Sequence, residues 1–244
     1  MSAAPDRLIT LVIPFHNEEE SLRELLGLVT AAIDSTGRRV EVLLVDDAST
    51  DGGRAVVEAY LPRDPRFRLL IQAKRGGQTE AFRRAFAEAR GEVIIRMDAD
   101  LQDDPRDLPQ FLTQLDDGAD LVMGLRENRK HSRLLRIATR VYDLLIAVLF
   151  DTNLHSNSGS FVAFRAEHVK DIPFRPNDHR YLPLIAIRRG AGDVREVIVR
   201  HHLRKYGRPK YTVLHKILFG VPEVLMFLLR CRRGDYDRKM TGRR

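Results

Sequence analysis

Over its first 125 residues this 244-residue chain alternates short apolar runs with stretches of helical periodicity, a pattern that few folds accommodate. Residues 8–13, Leu-Ile-Thr-Leu-Val-Ile, read as a buried strand. Leu22, Leu25, Leu26, Val29, Ala32 and Ile33 follow at helical spacing. Strand patterns recur at 40–45, 69–71, 93–97 and 120–123, separated by helical stretches around 54–60, 79–89 and 107–115. Strands joined by helices of this length predict an α/β fold with a mostly parallel central sheet and helices on both faces. After residue 132 the pattern changes. Leu134 to Leu149 spell a long amphipathic helix, and 161–164 and 196–199 read as two more strands. The last strand pattern ends before Tyr211, which divides the chain into an expected catalytic domain, 1–211, and a basic amphipathic helical tail, 212–244.

Composition narrows the class. Hydrophobic residues at 43% and charged residues at 31% can build a core and exclude a disordered chain. A single cysteine, Cys231, excludes an intramolecular disulfide framework and any four-cysteine metal site. Residues 1–7 lack the basic-then-apolar pattern of a secretory signal, so a cytoplasmic protein is expected. The longest apolar run, 217–229, is interrupted by Pro222 and Glu223 and falls short of the roughly 20 residues of a spanning helix. The net charge of +7 is concentrated at the end, where residues 200–244 carry 13 Lys and Arg against 3 Asp and Glu. Such a tail fits phosphate ligands, an anionic membrane surface or nucleic acid. No nucleic-acid module accompanies it, so nucleic acid is not the expected partner.

In open α/β sheets ligands gather outside the carboxyl ends of the strands. Three acidic loops stand at those ends: Pro14-Phe-His-Asn-Glu18, then Asp46-Asp47-Ala-Ser-Thr-Asp51-Gly52, then Asp98-Ala-Asp100-Leu-Gln102-Asp-Asp-Pro105. Acidic loops on one edge repel one another unless a cation or a donor-rich ligand sits among them. An Asp-x-Asp on extended chain places both carboxylates on one side, and carboxylate oxygens suit Mg²⁺ or Mn²⁺. The Gly-x-Gly-x-x-Gly of dinucleotide enzymes and the P-loop are both absent. Gly76-Gly77 reads as a strand-to-helix turn.

These three loops, in this order and spacing, resemble the family 2 glycosyltransferases of Rossmann-like GT-A fold. Within them the chain is most similar to the polyprenyl-phosphate sugar transferases, the group of dolichyl-phosphate mannose synthase. The later block His201-His-Leu-Arg204-Lys-Tyr-Gly207-Arg-Pro-Lys210-Tyr211 resembles that group's Arg-x-x-Gly-x-Ser-Lys-Tyr element. The resemblance implies donor contacts from Pro14, Glu18, Asp47 and Gly77, and a metal at Asp98, Asp100 and Gln102. It implies Mg²⁺ or Mn²⁺ as cofactor, a nucleoside diphosphate-sugar as donor and a polyprenyl phosphate as acceptor. Arg204 and Lys210 are the expected fixed cations on the phosphates, catalytic with Asp98 and Asp100. Asp46 is expected to be structural, and Asp51 to cap the helix behind it.

A phosphate acceptor is already anionic at neutral pH and needs no general base. A saccharide or lipid hydroxyl would need one, and Asp178 is the candidate base for that alternative. Two departures concern the acceptor: Pro209 stands where the group has Ser, and 157–165 match only loosely. A sugar nucleotidyltransferase would show a Gly-rich basic loop after the first strand, where this chain has His16-Asn-Glu-Glu-Glu20. The apolar faces of the tail beside its basic cluster predict a helix lying at an anionic membrane surface, with the enzyme peripheral at the inner face.

Overall fold

A computed structural model describes residues 6–126, 146–150, 152, 154, 159–203, 205–206 and 213–237. Seven strands form one sheet: β1 (Ile9–Phe15), β2 (Val40–Asp46), β3 (Phe67–Ile71), β4 (Val93–Arg96), β5 (Leu121–Arg126), β6 (Val162–Arg165) and β7 (Val194–Val199). Their order is β3-β2-β1-β4-β6-β5-β7, and β6 alone runs against both its neighbours. The expected mostly parallel α/β sheet is therefore present. All seven strand patterns of the sequence lie in it.

Strand alternation distributes the apolar residues between two layers. On one face Ile9, Leu11, Ile13, Val42 and Leu44 meet α1 (Glu19–Thr36), α2 (Gly53–Tyr60) and α4 (Leu108–Asp116). On the other, Val12, Leu43, Val45 and Ile94 meet α3 (Gly77–Glu88) and the helix Leu182–Arg188. In α1 the buried apolar positions are Leu22, Leu25, Leu26, Val29, Ala32 and Ile33, the stripe its periodicity predicts. Gly37 in the left-handed region ends it.

The C-terminal helix, Val213–Arg232, continues through Pro222. Val224, Phe227 and Cys231 on this helix, with Tyr236 after it, are buried in the second layer. Phe227 stacks on Tyr181 with ring centroids 4.2 Å apart. This part of the tail thus packs on the domain, while Leu225, Met226 and Leu229 stay about half exposed. No helix among the described residues is long and apolar enough to cross a membrane. Of the long helix expected at 134–149, 146–150 are helical and the remainder lies outside the described residues.

Candidate active site

The sheet order sets β2, β1 and β4 side by side, so the three acidic loops open on one edge. From β1 the chain moves outward to β2 and β3 and then returns to β4 on the other side. The switch point, where such sheets take ligands, falls between β1 and β4.

The first two loops are knitted together. Pro14 lies in β1 opposite Val45. His16 Nδ1 is 2.8 Å from the Asp47 carbonyl, and Thr50 N donates to Asn17 Oδ1 at 2.8 Å. Glu18, partly buried, accepts from Ser21 Oγ at 3.4 Å. Asp51 accepts from Glu19 N and Gly53 N, tying the starts of α1 and α2. Asp46, fully buried, accepts from Ser49 N at 2.7 Å and Arg54 Nε at 2.6 Å and so builds the turn.

Asp47 points to a third element. Its carboxylate accepts from Gln72 Nε2 at 2.9 Å, Gly76 N at 2.6 Å and Gly77 N at 2.9 Å. Gly77 holds φ at +76°, a conformation that favours glycine, and opens α3. A carboxylate on free amides at a helix start satisfies both partners. The glycine turn and Asp47 are thus one structure. Two carboxylate oxygens offer about four acceptor directions. Three are used here, which leaves capacity for one more donor.

The third loop carries Asp98, Asp100 and Gln102. Asp98, partly exposed, accepts from Gln78 Nε2 of α3 at 3.3 Å, and the buried Asp100 accepts from Gln102 N at 3.1 Å. Loss of solvation pushes the Asp98 carboxyl up to about 6; nearby Asp103 and Asp100 push the same way and Arg96 opposes them. Crowded carboxylates of this kind fit a hard divalent cation, which would relieve their repulsion. Among the described residues no three His, Cys, Asp or Glu side chains converge into a protein-only cage.

The acids that follow do different work. Asp103 accepts from Ser160 Oγ and faces Arg126. Asp107 accepts from Arg200 N at 2.7 Å, His202 N donates to the Gln102 carbonyl at 2.9 Å, and His202 Nε2 is 3.1 Å from Asp104. Burial raises the Asp104 carboxyl, but bonds from Arg106 and His202 outweigh it and hold it below the usual carboxylate range. Residues 200–202 are thereby laid along the third acidic loop. Lys205, bonded to Glu24 at 2.6 Å, carries the same segment on to α1. Arg204 and Lys210 lie outside the described residues.

Asp178 corrects an expectation. It is fully buried, and its carboxylate accepts from Arg175 N at 2.7 Å, Tyr236 Oη at 2.8 Å and Arg230 Nη1 at 3.3 Å. A carboxylate closed in by these donors anchors the C-terminal helix and is not placed to take a proton from an acceptor. Its neighbour His179 faces the α3 start, 2.7 Å from Thr79 Oγ1; burial, helped by Arg96 and Arg180, lowers the imidazole to about 3, so it is neutral.

Arg96, Gln78 and His179 are not legible as site residues in the sequence. Arg96 carries one signal, a lone charge inside the apolar strand pattern of 93–97. Gln78 and His179 reach the edge only because α3 and the 178–180 turn pack beside β4.

Residues 10–173 match the family described as "Glycosyl transferase family 2". The chain is 33% identical over 235 residues to the dodecaprenyl-phosphate galacturonate synthase of Rhizobium johnstonii, covering 93% of this chain and 70% of that protein. It is 31% identical over 219 residues to the undecaprenyl-phosphate 4-deoxy-4-formamido-L-arabinose transferase of Salmonella paratyphi A, covering 88% and 66%. Among solved structures, the glucosyl-3-phosphoglycerate synthase of Mycobacterium tuberculosis, in complex with Mn²⁺, uridine diphosphate and glucosyl-3-phosphoglycerate, has a TM-score of 0.70. The identity is 21%, over 93% of this chain and 80% of that one, a likeness of fold alone.

Proposed function

The chain belongs to glycosyl transferase family 2 and is a glycosyltransferase of GT-A fold; from this we propose that it moves a sugar from a nucleoside diphosphate-sugar to a polyprenyl phosphate, assisted by Mg²⁺ or Mn²⁺. The relatives just described, 33% and 31% identical, are named for sugar transfer to dodecaprenyl and undecaprenyl phosphate. The observation that carries the reading is the juxtaposition of Asp47, held on the glycine start of α3, with Asp98 and Asp100 at the switch point. In this reading Pro14, Glu18, Asp47 and Gly77 hold the nucleoside side of the donor, and Asp98, Asp100 and Gln102 face its diphosphate.

A divalent cation, which Asp98, Asp100 and Gln102 would hold, would supply charge neutralisation for the departing nucleoside diphosphate. Arg204 and Lys210 add fixed cations to the phosphates. The acceptor phosphate, with a second pKa near ~6, attacks as an anion, displaces the leaving group in line and inverts the anomeric centre. The engagement of Asp178 supports this acceptor over a hydroxyl, whose proposed base it was.

The lipid acceptor and the C-terminal helix support peripheral attachment at the cytoplasmic face of an anionic membrane. Exposed Leu225, Met226 and Leu229 lie near the exposed Arg232 and Arg233. The test is transfer of labelled sugar from a panel of nucleotide-sugars to undecaprenyl phosphate with Mn²⁺. A solvent-extractable product cleaved by mild acid is expected, because glycosyl phosphates are acid-labile. An acid-stable glycoside formed only on hydroxyl acceptors would overturn the reading.

A further inference from the structure

Arg96 is the last residue of β4, two positions before Asp98, and only 8% of it is exposed. Burying a guanidinium is costly unless its donors and its charge are both answered. The donors are answered by backbone alone. Nε reaches the Ser160 carbonyl at 3.2 Å, Nη2 that of Gly159 at 3.0 Å, and Nη1 that of His179 at 2.5 Å. The plane lies over the Phe82 ring of α3, 5.0 Å from its centroid. The charge is only partly answered: burial pulls the guanidinium pKa down, and Asp98 and Asp103 across space oppose that without cancelling it.

Strand alternation sets Arg96 on the α3 side of the sheet, with Ile94, and it is from α3 that Gln78 reaches Asp98. The edge then holds three carboxylates, Asp98, Asp100 and Asp103, the last two of which repel the first, and two guanidinium groups, Arg96 two positions before Asp98 and Arg126 3.4 Å from Asp103. A guanidinium stays protonated at neutral pH, so Arg96 is a permanent charge.

We propose that Arg96 is a positioning residue, the standing counter-charge of the cation edge, which holds the carboxylates together before a divalent ion arrives and thereby limits how tightly they take it. The inference rests on the reading of Asp98 and Asp100 as the cation site. By this account the three carbonyl bonds fix the guanidinium, and its charge acts on the edge. A purely structural arginine would act through the bonds alone.

The two roles predict opposite signs. Full-length protein and its Arg96→Met and Arg96→Lys variants are titrated at pH 8 with Mn²⁺ alone, followed by the resonance signal of the free ion, and melted with and without Mn²⁺. Removing a nearby like charge should tighten binding of a divalent ion by about tenfold. Arg96→Met is therefore expected to bind Mn²⁺ more tightly than wild type and to gain a larger rise in Tm from it, although its Tm without metal is lower. Arg96→Lys keeps the charge but cannot span three carbonyls, so its Tm falls while its Mn²⁺ affinity stays near wild type. Weaker or unchanged Mn²⁺ binding by folded Arg96→Met would overturn the proposal. If Arg96→Met does not fold, loss of affinity in step with Tm in Arg96→Lys would overturn it equally. Wild-type protein that takes up no Mn²⁺ would instead remove the cation-site reading beneath it.

Discussion

Asp178 and Tyr236, 58 residues apart, are joined by a 2.8 Å hydrogen bond in which the buried phenol donates to the buried carboxylate. The bond fastens the end of the C-terminal helix to the turn behind the site. Burial raises the Asp178 carboxyl, with Arg175, Tyr236 and Arg230 opposing. Asp178→Asn keeps one acceptor oxygen, too few for all three donors. It should lower stability by about 1–3 kcal/mol, roughly 2–4 °C in Tm per kcal/mol for a chain of this size. Turnover by the folded variant should escape the about 10²–10⁴-fold loss that removal of a general base brings. A fall of that size at unchanged Tm would restore the base assignment.

Asp100→Asn replaces a carboxylate of the strand-end pair by a neutral amide. Turnover should fall by at least about 10²-fold and metal-dependent donor binding should disappear, with the far-ultraviolet dichroism unchanged. Wild-type rates in Mg²⁺ or Mn²⁺ would remove the metal assignment.

Asp47→Ala should weaken nucleoside diphosphate binding to a similar extent with and without metal, because its proposed contact is to the nucleoside. Loss of a hydrogen bond to a charged group predicts about 1.5–3 kcal/mol. The same variant frees the amides of Gly76 and Gly77, so protection from hydrogen exchange at the start of α3 should fall with it. Calorimetry showing unchanged nucleotide affinity would count against the assignment.

Arg204→Ala and Lys210→Ala should reduce the transfer rate more than nucleotide affinity, if their charges meet the phosphates chiefly as the bond breaks. A parallel loss in both quantities would make them uniform binders of the donor.

Membrane attachment is best tested without cutting the tail, because Val224, Phe227, Cys231 and Tyr236 belong to the core. Wild-type protein should co-sediment with anionic liposomes at low salt and less with neutral ones. Replacing Leu225, Met226 and Leu229 together by Ser should reduce this without lowering Tm, and Arg232→Gln with Arg233→Gln should remove about 1 kcal/mol per charge. Equal amounts of wild type and variants left in the supernatant would refute the membrane role.

Local chemistry and periodicity settle one part of this protein. Alternating apolar runs are strands because each face must be buried, and the stripe of α1 is helical for the same reason. The sheet and its acidic strand ends are therefore legible in the amino-acid sequence alone. The spacing of Asp47, Asp98 and Asp100 likewise carries their family resemblance. How the acidic residues divide the work is decided by the tertiary structure. Asp47 turns to amides 29 and 30 residues further on. Asp107 meets Arg200 across 93 residues. Asp178 is consumed by Tyr236 and Arg230, and Arg96 is surrounded by carbonyls of residues 159, 160 and 179. A carboxylate's identity and neighbours in sequence say nothing about which distant donors will desolvate or pair with it. Only packing brings those donors into reach, and at these distances partners and burial set both charge and role.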